Sequence, residues 1–216
     1  MSRTLSEYDS KQLLREYGVA TVSEHLAADA DAAVARATRI GFPAVLKLCG
    51  AAIAHKTERD LVRLGLADAA AVRAAATELL ARRRPEDGDA QLLVQAMVRG
   101  RRELIVGLVR DAQFGPCVML GMGGILAEAM RDVVFRMAPL TLQDAREMLA
   151  EIKAAHLLDA FRGEPAVDRD ALANILVAVG RIGVERETVA SLDINPLIVA
   201  GATAIAVDAL VEIADA

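Results

Sequence analysis

Lys47 stands inside the apolar run Ala44-Val45-Leu46-Lys47-Leu48. Burying an ammonium without an anion is costly, so the position calls for a negative partner, either a carboxylate of the fold or a phosphate of a ligand. His55 and Lys56 follow eight and nine residues later, in His55-Lys56-Thr57-Glu58. One strand and its loop can therefore gather all three side chains. Imidazole titrates near neutrality and is a good nucleophile when unprotonated, so it can take up a phosphoryl group and hand it on. Read alone, a loop histidine is more often a surface residue. A lysine in a strand is as readily half of a structural ion pair as a phosphate ligand.

A second group lies near the end of the chain: Asp193-Ile194-Asn195-Pro196, then Asp208. Alternation along a strand points Asp193 and Asn195 to the same face. A turn at Ala200-Gly201 would fold Asp208 back towards them. Hard oxygen donors gathered in this way suit magnesium bridged to nucleotide phosphates. The competing reading is a set of surface residues on an edge hairpin, and the apolar flanks Ile194, Leu197, Ile198, Val199 and Val207 argue against it. Glu103 opens the strand-like segment ELIVGLV. Gly121-Met122-Gly123-Gly124 reads as a turn whose amides can approach phosphate oxygens, with Glu128, Asp132 and Arg136 beyond it. No GxxxxGK[ST] loop occurs and no GxGxxG follows a strand, so a nucleotide site here is neither Walker-type nor Rossmann-type.

The elements that must carry these residues follow from periodicity and caps. The spacing predicts helices over 6–17, 29–40, 69–83, 141–152 and 168–182, with Ser6, Asp68 and Thr141 as caps. Strands are predicted over 19–26, 44–48, 61–66, 91–98, 103–110, 117–121, 133–137, 191–199 and 204–211. The polar stretch 84–89 reads as a mobile connection. Hairpin-like pairs near 91–121 and 191–211 favour α+β lobes over one doubly wound sheet.

Composition narrows the class. The 216 residues are 54% hydrophobic but only 3% aromatic, so small aliphatic side chains must build the core. A net charge of −5 argues against nucleic-acid binding through bulk charge. The longest apolar runs fall short of a membrane helix, and the polar N-terminus does not read as a signal peptide. Cys49 and Cys117 read as buried free thiols of a cytoplasmic protein. Only four of the 25 basic residues are lysines (Lys11, Lys47, Lys56 and Lys153) against 21 arginines. Base composition accounts for that bias, and for Lys11 and Lys153. A lysine kept at Lys47 calls for a local reason, because ammonium and guanidinium are not interchangeable.

Taken in order, the opening helix with YGV, then GFPAVLK, AHKTE, LLVQAMVRGRRELIVG, RDAQFGP, GMGGILAE, FRMAPL and LDINPLIV resemble the ATP-grasp subunit of the nucleoside-diphosphate-forming acyl-CoA synthetases. This is the family of ADP-forming acetate–CoA ligase and, more distantly, of the succinyl-CoA synthetase β subunit. The resemblance runs nearly end to end. It implies an ATP-grasp fold of two α/β lobes, about 23–97 and 1–22 plus 98–216, with nucleotide between them. It also implies that Lys47 contacts ATP phosphates, with Lys56, Gly123, Gly124 and Arg136 in the nucleotide set. Gln95, Ala96, Met97 and Val98 would form the hinge at the adenine, and Glu103 would sit near the ribose. Asp193, Asn195 and Asp208 would hold Mg2+. His55 falls on the phosphohistidine relay and, with Lys47 and Glu128, completes the candidate catalytic set. Coenzyme A would be bound mainly by an α partner subunit, giving a hetero-oligomer inactive without it.

Two departures stand out. The family pattern HKSEVGGV is here HKTERDLV, with Asp60 and Leu61 in place of the glycine pair, and Asp60 is expected to add negative charge near the phosphates. Ser191 stands where an acidic residue is common. These departures motivate an alternative, a non-catalytic or degenerate nucleotide-binding subunit. A different ATP-grasp carboxylate ligase is a further alternative, and the HKTE motif argues against it.

Overall fold

The computed structural model describes residues 2–53, 56, 58–124 and 132–214. The chain divides into two compact units. One comprises Thr4–Asp9 and Val22–Met97, the other Met1–Arg3, Ser10–Thr21 and Val98–Ala216.

The smaller unit is built on a four-stranded sheet of order β2-β5-β3-β4, with β2 at Glu24–Ala27, β3 at Ala44–Cys49, β4 at Val62–Leu66 and β5 at Gln91–Ala96. Its described pairings are antiparallel. Helices α2 (Ala30–Ile40) and α3 (Ala69–Ala81) are capped by Asp29 and Asp68, whose carboxylates accept from the Ala32 and Ala71 amides. Their alanine stripes pack with Leu46, Leu48, Leu92 and Val94 into one core, so small side chains let helices and sheet approach closely. Alternation then dictates what the other face carries. With Leu46 and Leu48 turned to the helices, Val45 and Lys47 face the opposite way, across from Gln95 and Leu93 of β5.

The larger unit holds a seven-stranded sheet of order β1-β11-β9-β6-β7-β8, with β10 also paired to β9. Its strands are β1 (Ser2–Thr4), β6 (Arg102–Asp111), β7 (Gly115–Met122), β8 (Val133–Met137), β9 (Val189–Ala200), β10 (Thr203–Ala206) and β11 (Ala209–Ala214). Helices α4 (Leu142–Glu151) and α5 (Arg169–Glu185) pack on β6, β7 and β8. Thr141 and Asp144 form a reciprocal capping box, and Asp168 caps α5. Leu104, Val106, Leu108, Val118, Leu120 and Leu192 lie on the helix-covered face and are buried.

Helix α1 (Glu7–Glu16) is shared: its first residues cluster with the smaller unit and the rest with the larger. The division expected from sequence, 23–97 against the remainder, differs in this respect. Thr4–Asp9 joins the smaller unit because Glu7 is tied to it, as described below. Two strands also differ from their expected spans. The stretch expected as a strand over 19–26 becomes one only at Glu24, and Thr21 makes a single bridge to Ala206. The strand expected over 204–211 is two, β10 and β11, broken at Val207-Asp208. There the Val207 amide donates to the Pro196 carbonyl and the Asp208 carbonyl accepts from Asn195, opposite an irregular stretch of β9.

Candidate functional site

In the smaller unit, Lys47 is only 6% exposed and its ammonium donates to Glu7 Oε1 at 2.7 Å. Lys56 Nζ lies 2.5 Å from the other oxygen, Glu7 Oε2. Gln95 Nε2 donates to Glu7 Oε1 at 2.8 Å and to Glu24 Oε2 at 2.9 Å. All five side chains are buried. Among the described residues, two ammoniums and two carboxylates therefore meet around one amide. Lys47 has the anion its position called for, and that anion is a carboxylate of the fold. Two cations held on one carboxylate, from a strand and from its following loop, have the charge to engage a phosphate in its place.

The loop carrying Lys56 is closed by its own backbone. The Lys56 carbonyl accepts from the Leu61 amide at 2.9 Å, and the Leu61 carbonyl accepts from Leu48 at 3.0 Å. Arg59 braces it from outside through a two-pronged bond to Asp87, at 2.6 and 2.9 Å. That bond holds the Asp87 carboxyl below the usual carboxylate range. Asp60 takes a left-handed conformation, φ 54°, the region glycine favours. Its carboxylate does not turn towards the lysines, contrary to the expectation of added charge near a phosphate. It is held by Arg63 at 2.9 Å and Arg82 at 2.5 Å, whose guanidiniums keep it ionised below its ordinary range. Leu61 is buried in the core of the unit. His55 lies outside the described residues.

In the larger unit, the structure brings Asp193, Asn195 and Asp208 together. Asp193 lies on β9 opposite Leu210 of β11, and the Asn195 amide bonds to the Asp208 carbonyl. Burial pushes the Asp193 carboxyl above its ordinary range, the Asn195 side chain counteracts this, and the Asp208 charge pushes it further up. Two carboxylates and an amide, with one acid raised partly by its like-charged neighbour, are chemically suited to a hard divalent cation that would relieve the repulsion. Among the described residues, no three His, Cys, Asp or Glu side chains form a metal cluster, so the third donor here is the Asn195 amide.

Glu103, the second residue of β6, lies against the glycine turn: the Gly123 amide donates to the Glu103 carbonyl at 2.7 Å. A Cβ at Gly123 would stand 3.1 Å from the Glu103 carbonyl carbon, and Gly124 has φ 69°, so both positions favour glycine. Glu128 lies outside the described residues. Arg136 is placed differently from expectation. On β8 it pairs across from Val118, on the helix-covered face, and its guanidinium bonds Glu151 of α4 at 2.5 Å. Asp193, across from Gly107, belongs to the opposite face. The two-residue period of the strand therefore separates Arg136 from the acidic trio. Of the expected hinge, Gln95 and Ala96 end β5, and the division between units falls between Met97 and Val98. The Gln95 side chain is engaged with Glu7 and Glu24, and its backbone lies in the ladder between β2 and β3, opposite Glu24 and Val45.

Glu7 and Glu24 were not apparent in the sequence. Glu7 sits in a helix first turn, where a carboxylate is unremarkable. Base composition does not account for Lys11, which also has a local reason. Lys11 is fully buried and donates to the Val207 carbonyl at 3.2 Å, beside Asp208.

Comparison with known proteins identifies the family. Residues 1–213 match the ATP-grasp domain family. The chain is 39% identical over 211 residues to the acetate–CoA ligase (ADP-forming) I subunit beta of Pyrococcus furiosus, covering 96% of this chain and 91% of that one. It is 38% identical over 188 residues to acetate–CoA ligase (ADP-forming) I of Archaeoglobus fulgidus, covering 86% of this chain but 27% of that longer one. Among solved structures, acetyl-coenzyme A synthetase 1 of Ca. Korarchaeum cryptofilum, in complex with coenzyme A and Ca-AMPCP, superposes with a TM-score of 0.91 at 39% identity, covering 98% of this chain and 93% of that one. The chain thus belongs to the ATP-grasp domain family, among the β-subunit chains of the ADP-forming acid–CoA ligases.

Proposed function

We propose that this chain is the nucleotide-binding subunit of an ADP-forming acyl-CoA synthetase, coupling formation or cleavage of an acyl-CoA thioester to ATP and ADP through phosphohistidine transfer. The observation that carries the reading is the pair of buried ammoniums, Lys47 and Lys56, converging on the single carboxylate of Glu7. Phosphoryl transfer requires charge neutralisation and alignment more than covalent chemistry from the protein. In this reading Lys47 and Lys56 neutralise nucleotide phosphates, and the backbone of Gln95 to Val98 meets the base. Glu103 lies near the ribose, and the Gly123-Gly124 turn near the phosphates. Asp193, Asn195 and Asp208 hold Mg2+, which supplies further charge neutralisation on the phosphates. His55 accepts and passes the phosphoryl group, with Glu128 in the catalytic set. The two units serve as the small and large lobes of the ATP-grasp fold.

A related structure of Ca. Korarchaeum cryptofilum contains coenzyme A and Mg-AMPPCP, with a phosphohistidine segment pointing towards the nucleotide site. We assign coenzyme A mainly to a partner α subunit in a cytoplasmic hetero-oligomer; the name subunit beta of two relatives supports the existence of such a partner. Asp60 gives no ground for the degenerate alternative, because its carboxylate is committed to Arg63 and Arg82.

The test is label transfer. With γ-labelled ATP, Mg2+ and the CoA-binding partner, the chain should acquire an acid-labile label that His55→Asn abolishes. Absence of label from the wild-type chain with an active partner would overturn the reading.

A further inference from the structure

Val207 and Asp208 fall in the gap between β10, which ends at Ala206, and β11, which begins at Ala209. Opposite this gap β9 carries an extra residue, since Leu104 and Val106 of β6 pair with Leu197 and Ile194. A bulge of this kind interrupts the ladder and re-aims side chains. Two long backbone hydrogen bonds tie the gap to β9. The Val207 amide donates to the Pro196 carbonyl at 3.2 Å, and the Asn195 amide donates to the Asp208 carbonyl at 3.3 Å. Asp208 is thus delivered to Asp193 and Asn195 by a stretch that the sheet itself holds weakly.

Helix α1 and the residues after it hold the same stretch. The Ala20 carbonyl accepts from the Ala206 amide at 2.9 Å, and Ser10 Oγ accepts from the Val211 amide at 3.2 Å. Between these two points Lys11 Nζ donates to the Val207 carbonyl at 3.2 Å. That carbonyl belongs to the planar peptide whose nitrogen is that of Asp208, so the ammonium fixes the plane from which the Asp208 side chain departs. Lys11 is fully buried. Methionine or leucine would fill such a place without the cost of desolvating an ammonium. Lysine is also scarce in this chain, four against 21 arginines. A buried lysine at this break therefore calls for a role that a charged donor fills and an apolar side chain does not.

We propose that Lys11 is a positioning residue for the divalent cation: its ammonium holds the Val207-Asp208 peptide so that the Asp208 carboxylate is presented beside Asp193 and Asn195. Lys11 acts through Asp208 rather than on the metal. The inference rests on the reading of Asp193, Asn195 and Asp208 as the Mg2+ ligands. A competing role has the opposite sign. If the ammonium served only as a counter-charge to the acids, it would repel the metal, and its removal would tighten metal binding.

The experiment is calorimetric titration of the full chain with ADP, with and without Mg2+, and the quantity read is the factor by which Mg2+ tightens ADP. Lys11→Met should cut that factor at least about fivefold and leave the affinity for ADP without Mg2+ within about twofold. Ser10→Ala removes the neighbouring tie between the same helix and β11, so it should lower the melting temperature and keep the factor. Lys11→Arg, which restores a cationic donor, should recover part of the loss. A factor unchanged or enlarged in folded Lys11→Met overturns the proposal, and so does an equal loss in Ser10→Ala, which would make the role merely structural. Should Lys11→Met not fold, the wild type decides. Labelled lysine gives only four side chains to follow by NMR, assigned by replacing the other three, and the Lys11 signals should shift as Mg2+ is added to the ADP-bound chain while those of Lys153 stay. Lys11 signals that do not move overturn the proposal. If Asp208→Asn abolishes the Mg2+ factor and Lys11→Met does not, only the positioning role fails. If Asp208→Asn keeps the factor too, or the wild type shows none, the magnesium reading fails with it.

Discussion

Replacing Glu7 by glutamine removes one negative charge and almost no volume. Glu7, Lys47 and Lys56 are 3%, 6% and 8% exposed, so solvent offers the two ammoniums little compensation. The substituted amide would also turn donor hydrogens towards groups that can only donate. Removing one partner of a buried ion pair costs about 3–5 kcal/mol. For a protein of this size each kcal/mol lowers the melting temperature by roughly 2–4 °C. Glu7→Gln should therefore melt about 6–20 °C below the wild type in scanning calorimetry without nucleotide. Mg-ATP should recover more of this loss than it adds to the wild type, because its phosphates supply the missing anion. Glu7→Asp, which keeps the charge on a shorter stem, should fall between the two. A Glu7→Gln protein that melts within about 2 °C of the wild type would refute the reasoning, since the cluster would then contribute nothing to the folded state.

Two further outcomes follow from the loop that carries Lys56. The folded-state pKa of Asp87 is depressed by Arg59, so its contribution to stability is present above the ordinary carboxylate range and is lost as pH falls through the depressed value. Acid unfolding followed by circular dichroism below about pH 4 should show Asp87→Asn losing less stability than the wild type over that window, from a lower starting point. Asp60→Gly should leave Mg-ATP affinity within about twofold, because the Asp60 carboxylate is turned to Arg63 and Arg82. A marked gain in affinity on calorimetric titration would show instead that Asp60 opposes the phosphates.

Much of the fold was legible because local rules and tertiary packing agree. Asp68 and Thr141 cap the helices their positions announced, and Lys47 has the anionic partner that its place in an apolar strand called for. The meeting of Asp193, Asn195 and Asp208 was also legible, since a turn and a two-residue period suffice to bring them near. What escaped the sequence is long-range. Glu7 lies 40 residues before Lys47, and nothing about a carboxylate in a first helical turn shows which strand it will face. The break at Val207-Asp208 depends on how β9 is irregular at Asn195-Pro196, not on the residues of the strand itself. Arg136 was misplaced because proximity in sequence to the glycine turn says nothing about which face of β8 it occupies.

Whether Lys47 belongs to a nucleotide site is tested most directly by isothermal titration of the purified chain with ADP, with and without Mg2+, for the wild type and Lys47→Met. Methionine keeps the apolar stem and leaves Glu7 its contacts with Lys56 and Gln95, so the variant should remain folded by circular dichroism. The expected result is Mg2+-dependent binding by the wild type, weakened at least about tenfold in the folded variant, as for loss of a charge-assisted phosphate contact. Equal affinities in the two proteins would contradict it, and would return Lys47 and Glu7 to the status of a structural ion pair.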